Sequence, residues 1–139
     1  MNGVKVVING TYGGFGLSEE AVKEYAKLKG LTLTITKTEY GSNVYWTNKF
    51  WEGKYKGPLS HKEFMALDEK NQKEYLQSSI SAMLVVDEIP RNDVTLIRVV
   101  EKLGNRANGP YAELYIEEVY GEHYTIDEYD GCEQIRYLG

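Results

Sequence analysis

Apolar and polar positions alternate in two short segments near the start of the chain. Residues 4–9 place valine or isoleucine at every second position, and residues 31–38 alternate leucine and isoleucine with threonine. This period of two predicts two β-strands. Between them, residues 19–29 repeat apolar side chains at helical spacing after Ser18, a residue that can cap the first turn. The order strand, helix, strand predicts an N-terminal βαβ unit with a right-handed crossover.

The pattern predicts two further helical regions. Ser60 and Glu63 have the spacing of a capping box before a helical segment that extends to about residue 77, with a break near Asp68. A later amphipathic segment begins at the Asn-Asp pair 92–93 and ends at a glycine. With the helix before residue 30, these segments make about three helices.

Further strands are predicted from alternation and from one continuous apolar run. The last two are joined at Asp130-Gly131, a pair typical of hairpin turns. Together with the helices, the strands predict one α+β domain over residues 1–139, with a mixed, mainly antiparallel sheet. These further strands are expected at 43–46, 83–86, 111–117, 124–128 and 134–138.

Composition narrows the classes of function. The formal net charge is −5, whereas general nucleic-acid binding needs a basic surface. No segment approaches the roughly 20 apolar residues that a membrane span needs, and the first residues, MNGVKVVING, are too polar for a signal peptide. Cys132 is the single cysteine, which excludes an internal disulfide and favours a reducing compartment. We therefore expect a cytoplasmic protein that binds neither nucleic acid directly nor a membrane.

The segment NGTYGGFGLSEE, residues 9–20, joins the first predicted strand to the first helix. A glycine-rich turn before a helix N-terminus offers backbone N–H groups, the positive end of the helix dipole and room for close approach of an anion. The dinucleotide fingerprint is incomplete because Glu19 occupies the position of its last glycine, and no P-loop lysine follows. The alternative is a tight strand-to-helix turn with Phe15 packed inward.

Arginines are scarce, and two of them flank the predicted helix that follows residues 92–93. Arginine recognises phosphate through paired hydrogen bonds, so Arg91 and Arg106 are candidate clamps for an anionic ligand. Because they lie at opposite ends of one helix, they need not share a site, and a solvated surface charge is the alternative for each. The predicted ligand-binding residues are Tyr12, Gly13, Gly14, Phe15, Gly16, Arg91 and Arg106, with a ring of Tyr12 or Phe15 stacking on a base.

Residues with catalytic or metal-binding chemistry cluster near the C-terminus, where His123, Asp127, Asp130 and Cys132 occur within ten positions. Cysteine chemistry needs the histidine beside the thiol, but Cys132 lies beyond the predicted turn. Paired cysteines and the His-Glu-x-x-His motif are both lacking. We expect no catalytic residue, no metal and no cofactor, and an enzyme that uses His123 or Cys132 is the third hypothesis.

An acidic, tyrosine-rich segment precedes the C-terminus. Between Ala107 and Gln134 there is no lysine or arginine. Such a surface can dock on a basic protein groove by imitating nucleic-acid phosphates. The alternative is a solvated strand face, or an edge strand whose charges prevent aggregation. The same surface, or the aromatic segment 40–59, can also supply a contact between subunits of a homo-oligomer. The acids are Glu113, Glu117, Glu118, Glu122, Asp127, Glu128, Asp130 and Glu133.

Four motifs together resemble a family of small bacteriophage- and prophage-encoded proteins: YGGFGLS at 12–18, IPRND at 89–93, LGNRANG at 103–109 and IDEYDGCE at 126–133. The resemblance implies a phage protein acting in a bacterial cytoplasm, and it brings no catalytic residue to carry over. The family often has a cysteine before the tyrosine of the first motif, where this chain has Thr11. The leading hypothesis is a non-catalytic protein that sequesters a small anionic, nucleotide-like ligand of host immune signalling. The alternative is an acidic inhibitor of a host nucleic-acid-binding or defence protein.

Overall fold

The computed structural model describes residues 3–48, 58–121 and 123–138. The α+β class is confirmed, because the described residues form both α-helices and antiparallel strand pairs. Two compact units can be distinguished. The terminal unit comprises Met1–Gly30 and Val86–Gly139, and the central unit comprises Leu31–Val85. A single domain over the whole chain stays a prediction.

The described elements follow one another in the predicted order, except that the second helical region is split in two and the strand predicted at 83–86 is missing from the described residues. Two 3₁₀ turns, Val86–Glu88 and Gly104–Ala107, lie on either side of the last helix. None of the described helices has the length and apolar character required to cross a membrane. The elements are β1 (Val4–Asn9), α1 (Glu19–Leu28), β2 (Leu33–Lys37), β3 (Asn43–Thr47), α2 (His61–Met65), α3 (Glu69–Ala82), α4 (Val94–Leu103), β4 (Leu114–Val119), β5 (Tyr124–Tyr129) and β6 (Cys132–Tyr137).

Strand pairing departs from the predicted βαβ unit. β1 pairs with β4, with Val4 opposite Val119, whereas β2 pairs with β3, with Leu33 opposite Thr47. β5 and β6 form a hairpin in which Tyr129 lies opposite Cys132. All of these pairs are antiparallel, so the described strands make three two-stranded sheets instead of one mixed sheet with a parallel crossover. The physical reason is that β2 can close a local antiparallel hairpin through a short connection, whereas pairing with β1 needs a long crossover.

The core of the terminal unit is built on β1. Val6, Val7 and Ile8 are consecutive residues that are all buried, so this strand is covered on both faces although its sequence alternation is partial. α4 packs on β1 and on α1. Both helices begin with side-chain caps, since Ser18 Oγ accepts the Ala21 N–H at 3.1 Å and Asp93 Oδ1 accepts the Leu96 N–H at 3.0 Å. Asp93 is therefore the cap within the predicted pair 92–93.

The central unit packs α3 against the β2–β3 hairpin. Its core contains Trp46, Tyr75 and Ala82, and Thr47 Oγ1 donates to the Ala82 carbonyl at 2.9 Å. The capping box at residues 60–63 is confirmed, and so is the break near Asp68, which caps α3 by accepting a backbone N–H.

Two expectations for the central unit need correction. α3 continues to Ala82 instead of ending near residue 77, because its last turn packs on the hairpin. The apolar run 83–86 forms no strand; Met83 makes an isolated bridge to Trp46, and Leu84 N donates to the Tyr45 carbonyl at 2.9 Å. Of the aromatic segment 40–59, residues 49–57 lie outside the described part of the chain.

Candidate functional site

Asn9, the last residue of β1, organises the glycine-rich loop that follows it. Its side chain is fully buried. The Nδ2 group donates to the Thr11 carbonyl at 2.9 Å and to the Gly131 carbonyl at 2.7 Å, while Oδ1 accepts the Glu113 N–H at 2.9 Å. One amide therefore joins the loop, the approach to β4 and the β5–β6 turn. The signal for this role in the sequence is a polar residue at the end of an otherwise largely apolar strand.

The glycine loop lies directly against the β5–β6 turn. Gly13 N donates to the Asp130 carbonyl at 2.9 Å. A Cβ on Gly131 would lie 2.1 Å from Gly14 N, so the two backbones approach more closely than any other residue type would allow. Gly10 N donates to the Glu113 carbonyl at 2.9 Å. The backbone N–H groups of Gly10 and Gly13 are thus hydrogen-bonded within the protein. The loop therefore has a structural role as the turn between β1 and α1.

The structure brings two predicted site residues together, Arg91 and Phe15. The Arg91 guanidinium carbon lies 3.5 Å from the centroid of the Phe15 ring. Arg91 Nη1 also donates to Glu133 Oε1, and the two side chains are only 17% and 7% exposed. The same Oε1 accepts the Asn9 backbone N–H at 2.9 Å. The guanidinium charge is therefore neutralised inside the fold, which leaves less of it for a bound anion.

Arg106 and Tyr12 have different surroundings from Arg91. Arg106 Nε lies 3.4 Å from Glu20 Oε1 in an exposed pair, and the Arg106 carbonyl accepts the Ser18 hydroxyl at 2.6 Å. Arg91 and Arg106 flank opposite ends of α4, a helix about 15 Å long at 1.5 Å per residue. Tyr12 is 66% exposed. The predicted ligand-binding set is thus divided between the Arg91 contact, the open ring of Tyr12 and the distant Arg106.

A cavity of about 380 Å³ lies beside the loop. One wall is Tyr12 and the other is the β5–β6 hairpin. Asp127 in this wall has two partners, both exposed: the Thr125 hydroxyl donates to Asp127 Oδ1 at 3.1 Å, and Arg136 Nη1 lies 3.4 Å from Asp127 Oδ2. The cavity therefore favours a cationic occupant over an anionic one. Its lining residues are Tyr12, Asp127, Glu128, Tyr129, Cys132, Glu133 and Gln134.

Negative groups continue from the hairpin onto β4. The pKa of Tyr115 is raised by burial and, to a smaller extent, by its neighbours Glu117, Cys132 and Glu133. Within the part of the chain that the structure describes, Glu117 Oε2 is buried without a hydrogen-bond partner. Carboxylates without a cationic partner raise the free energy of any further negative charge placed near them. The potential on this side of the terminal unit is consequently unfavourable for phosphate.

The residues of the catalytic hypothesis do not converge. His123 precedes β5 and its carbonyl accepts the Leu138 N–H at 2.9 Å, whereas Cys132 begins β6 at the other end of the hairpin. Six strand residues at about 3.3 Å each separate these ends by about 20 Å. Among residues 3–48, 58–121 and 123–138, no group of three or more His, Cys, Asp or Glu side chains is placed to hold a metal ion.

The central unit has a larger cavity, of about 820 Å³. It borders residue 58, next to the segment outside the described residues, and its two aromatic walls, Trp46 and Tyr75, are themselves more than nine-tenths buried. These rings offer little surface to a ligand. The cavity beside Tyr12 presents open rings and charged groups instead.

Comparisons with protein-family models, curated proteins and solved structures give no match. The resemblance to phage-encoded proteins, the cytoplasmic location and a homo-oligomeric state accordingly stay predictions.

Proposed function

We propose that this protein has a non-catalytic binding function and docks a basic partner protein on an acidic tyrosine surface. We define this surface by Tyr12, Tyr111, Asp127, Glu128 and Tyr129. The observation that carries the proposal is the cavity beside the loop, which combines carboxylates with exposed tyrosine rings. In the phage setting that the resemblance implies, the partner class is a host nucleic-acid-binding or defence protein.

Charge supports a basic partner. The segment between Ala107 and Gln134 contains eight acids and no lysine or arginine, and the whole chain carries a net charge of −5. Charges of one sign on one surface steer an oppositely charged partner and raise its association rate. Salt screens these interactions over about 8–10 Å at physiological ionic strength. Binding should therefore weaken as salt is added.

The exposed tyrosines supply contact area. Tyr111 and Tyr129 are each 74% exposed and Tyr12 is 66% exposed. Gly13 brings Tyr111 to the loop, since a Cβ at that glycine would lie 2.8 Å from Tyr111 Cβ. Tyrosine combines a large apolar ring with a polar tip and is enriched at the centres of protein interfaces. These rings give the surface a source of affinity besides charge.

The surface is held in place before a partner arrives. Asn9 Nδ2 bonds to the Gly131 carbonyl and Gly13 N bonds to the Asp130 carbonyl, so the loop that carries Tyr12 is fixed to the hairpin that carries Tyr129. Fixing these elements in the folded protein lowers the entropy lost on association.

The test is affinity capture from bacterial lysate at low and high salt, with wild type compared with two charge-matched double variants. Asp127→Asn with Glu128→Gln removes two charges from the surface, and Glu69→Gln with Asp87→Asn removes two exposed charges elsewhere. We expect a basic protein to be captured by wild type and by the second variant, to be lost from the first, and to dissociate in high salt. If the amount of captured protein changes neither with salt nor with the Asp127→Asn and Glu128→Gln substitutions, the result would count against the proposal.

A small anionic, nucleotide-like ligand at the glycine loop is the second candidate function. The observation that favours it is the open space on the Cβ side of Gly14, where no atom lies within 4 Å of a Cβ position although Gly131 packs against Gly14 N, next to the exposed Tyr12. Isothermal titration against a panel of cyclic and linear nucleotides tests it. A ligand at the loop should bind wild type and bind Tyr12→Ala less tightly, and absence of heat across the panel removes this candidate.

A further inference from the structure

We propose that the cavity beside Tyr12 receives an arginine side chain from a basic segment of the partner. The inference rests on the proposed docking function and specifies the chemistry of the partner. It predicts a preference for arginine over lysine at one position, which general charge attraction does not produce.

The composition of the cavity matches a planar cation. The hollow of about 380 Å³ has Tyr12, Asp127 and Tyr129 in its walls. Glu128 also lines it, but Glu128 Oε1 already accepts the Gly131 N–H at 3.1 Å. A guanidinium group stacks on aromatic faces and forms paired hydrogen bonds with carboxylates. A lysine ammonium is a compact, strongly hydrated point charge that uses only part of this lining. The two tyrosines and the Asp127 carboxylate around one hollow therefore favour arginine.

The carboxylates on the two faces of the β5–β6 hairpin differ in their cationic partners. Glu128 lies opposite Glu133 and Asp127 lies opposite Gln134, so Asp127 and Glu133 belong to opposite faces. On the inner face, Glu133 already holds the guanidinium of Arg91, which is stacked on a phenylalanine ring. The inner face, which carries Glu133, thus contains a complete set of ring, carboxylate and guanidinium. We propose the same set for the outer face, which carries Asp127.

On the outer face the same combination is only partly filled. Asp127 Oδ2 contacts the guanidinium of Arg136 at 3.4 Å, and these side chains are 37% and 67% exposed; Asp127 Oδ1 accepts the hydroxyl of the exposed Thr125 at 3.1 Å. This contact shows that Asp127 is accessible to a guanidinium, and an exposed pair of this kind is readily exchanged because water screens it. The ring of Tyr129 lies on the same strand face as Asp127, two positions along. An incoming arginine can consequently replace Arg136 at Asp127 and gain the aromatic contacts.

The experiment measures fluorescence polarisation of two labelled peptides, (Gly-Arg)₄ and (Gly-Lys)₄, against the full chain at low salt. We expect the arginine peptide to bind about tenfold more tightly than the lysine peptide. Tyr12→Ala and Tyr129→Ala should each weaken the arginine peptide about fivefold and change the lysine peptide less than about twofold. Tyr40→Ala, at an 88% exposed tyrosine of the central unit, is the matched control and should change neither.

Arg136→Ala separates this pocket from general attraction and from a folding defect. It removes the internal competitor for Asp127, so it should tighten the arginine peptide more than the lysine peptide. Equal tightening of both peptides, or loss of arginine binding, would overturn the arginine pocket. Thermal unfolding of each variant checks that the fold is intact.

The outcomes distinguish the inference from the proposed function. Equal binding of both peptides, weakened by Asp127→Asn but unaffected by Tyr12→Ala and Tyr129→Ala, leaves the docking function standing and overturns the arginine pocket. If neither peptide binds and no basic partner is captured, the docking function fails and the pocket fails with it.

Discussion

Glu133 and Asn9 are 124 positions apart in the chain, and Glu133 Oε1 accepts the backbone N–H of Asn9 at 2.9 Å. Both residues are buried, and the same oxygen accepts Arg91 Nη1. This polar contact joins the end of β1, the most buried strand of the terminal unit, to the start of β6. Because buried polar groups are stable only when they are satisfied together, the hairpin that carries the acidic tyrosine surface depends on this small network.

Removing the charge of Glu133 should destabilise the protein strongly. Glu133→Gln keeps an acceptor for the Asn9 N–H but leaves the poorly solvated Arg91 guanidinium without its counter-charge. We expect a loss of about 3 kcal/mol in the free energy of unfolding, measured by urea denaturation. Asp127→Asn is the control, because its pair with Arg136 is exposed and should contribute less than about 1 kcal/mol. Equal effects of the two substitutions would contradict the buried role of Glu133.

Truncating Asn9 should have a comparable effect through hydrogen bonds alone. Asn9→Ala leaves the carbonyls of Thr11 and Gly131 and the N–H of Glu113 without their present partners. Each buried group left unsatisfied costs about 1–3 kcal/mol, so we expect a total loss of at least about 2 kcal/mol in urea denaturation. Asn105→Ala, at an exposed asparagine, should stay within about 0.5 kcal/mol of wild type.

Gly131 should tolerate no side chain, for two separable reasons. Its φ is +88°, and a Cβ would lie 2.1 Å from Gly14 N. Gly121 has a similar φ of +95°, with no atom within 4 Å of its Cβ position. Gly121→Ala should therefore lose about 1 kcal/mol for backbone strain alone, whereas Gly131→Ala should lose clearly more because the loop must move away from the hairpin. Thermal unfolding gives the comparison, and similar losses would show that the loop and the turn do not touch.

The N-cap of α4 should make stability sensitive to acid. Burial raises the pKa of Asp93, but hydrogen bonds from the Leu96 N–H and Lys29 outweigh it, and the net pKa is lowered. A lowered folded-state pKa contributes stability above the unfolded-state value, about 3.9, and this stability is lost as the pH falls through the folded-state pKa. Asp93→Asn keeps a capping oxygen without a charge.

Urea denaturation from pH 7 to pH 2 tests this prediction. Wild type should be more stable than Asp93→Asn at pH 7, and the difference should shrink towards zero as the pH falls below about 4. A difference that is constant over the whole range would mean that the Asp93 charge does not contribute to folding.

The sequence by itself determined the local structure, because its signals act within a few residues. Ser18, Ser60 and Asp93 cap helices at the predicted places, since each side chain reaches an N–H only three residues ahead. Asp130-Gly131 forms the predicted turn with positive φ at both residues, which suits aspartate and glycine in a two-residue hairpin. The α+β class followed from these elements.

Only the tertiary structure decided the partners of β1 and β2 and the surroundings of the predicted site. A strand carries the same alternation whichever strand it pairs with, so β1 with β4 and β2 with β3 were not apparent from periodicity. Likewise, the sequence around Arg91 predicts a side chain that is free to bind an anion, but the fold places Glu133 and Phe15 against it. Charges and rings separated by many residues combine only after folding, because contact between them depends on chain topology and not on spacing.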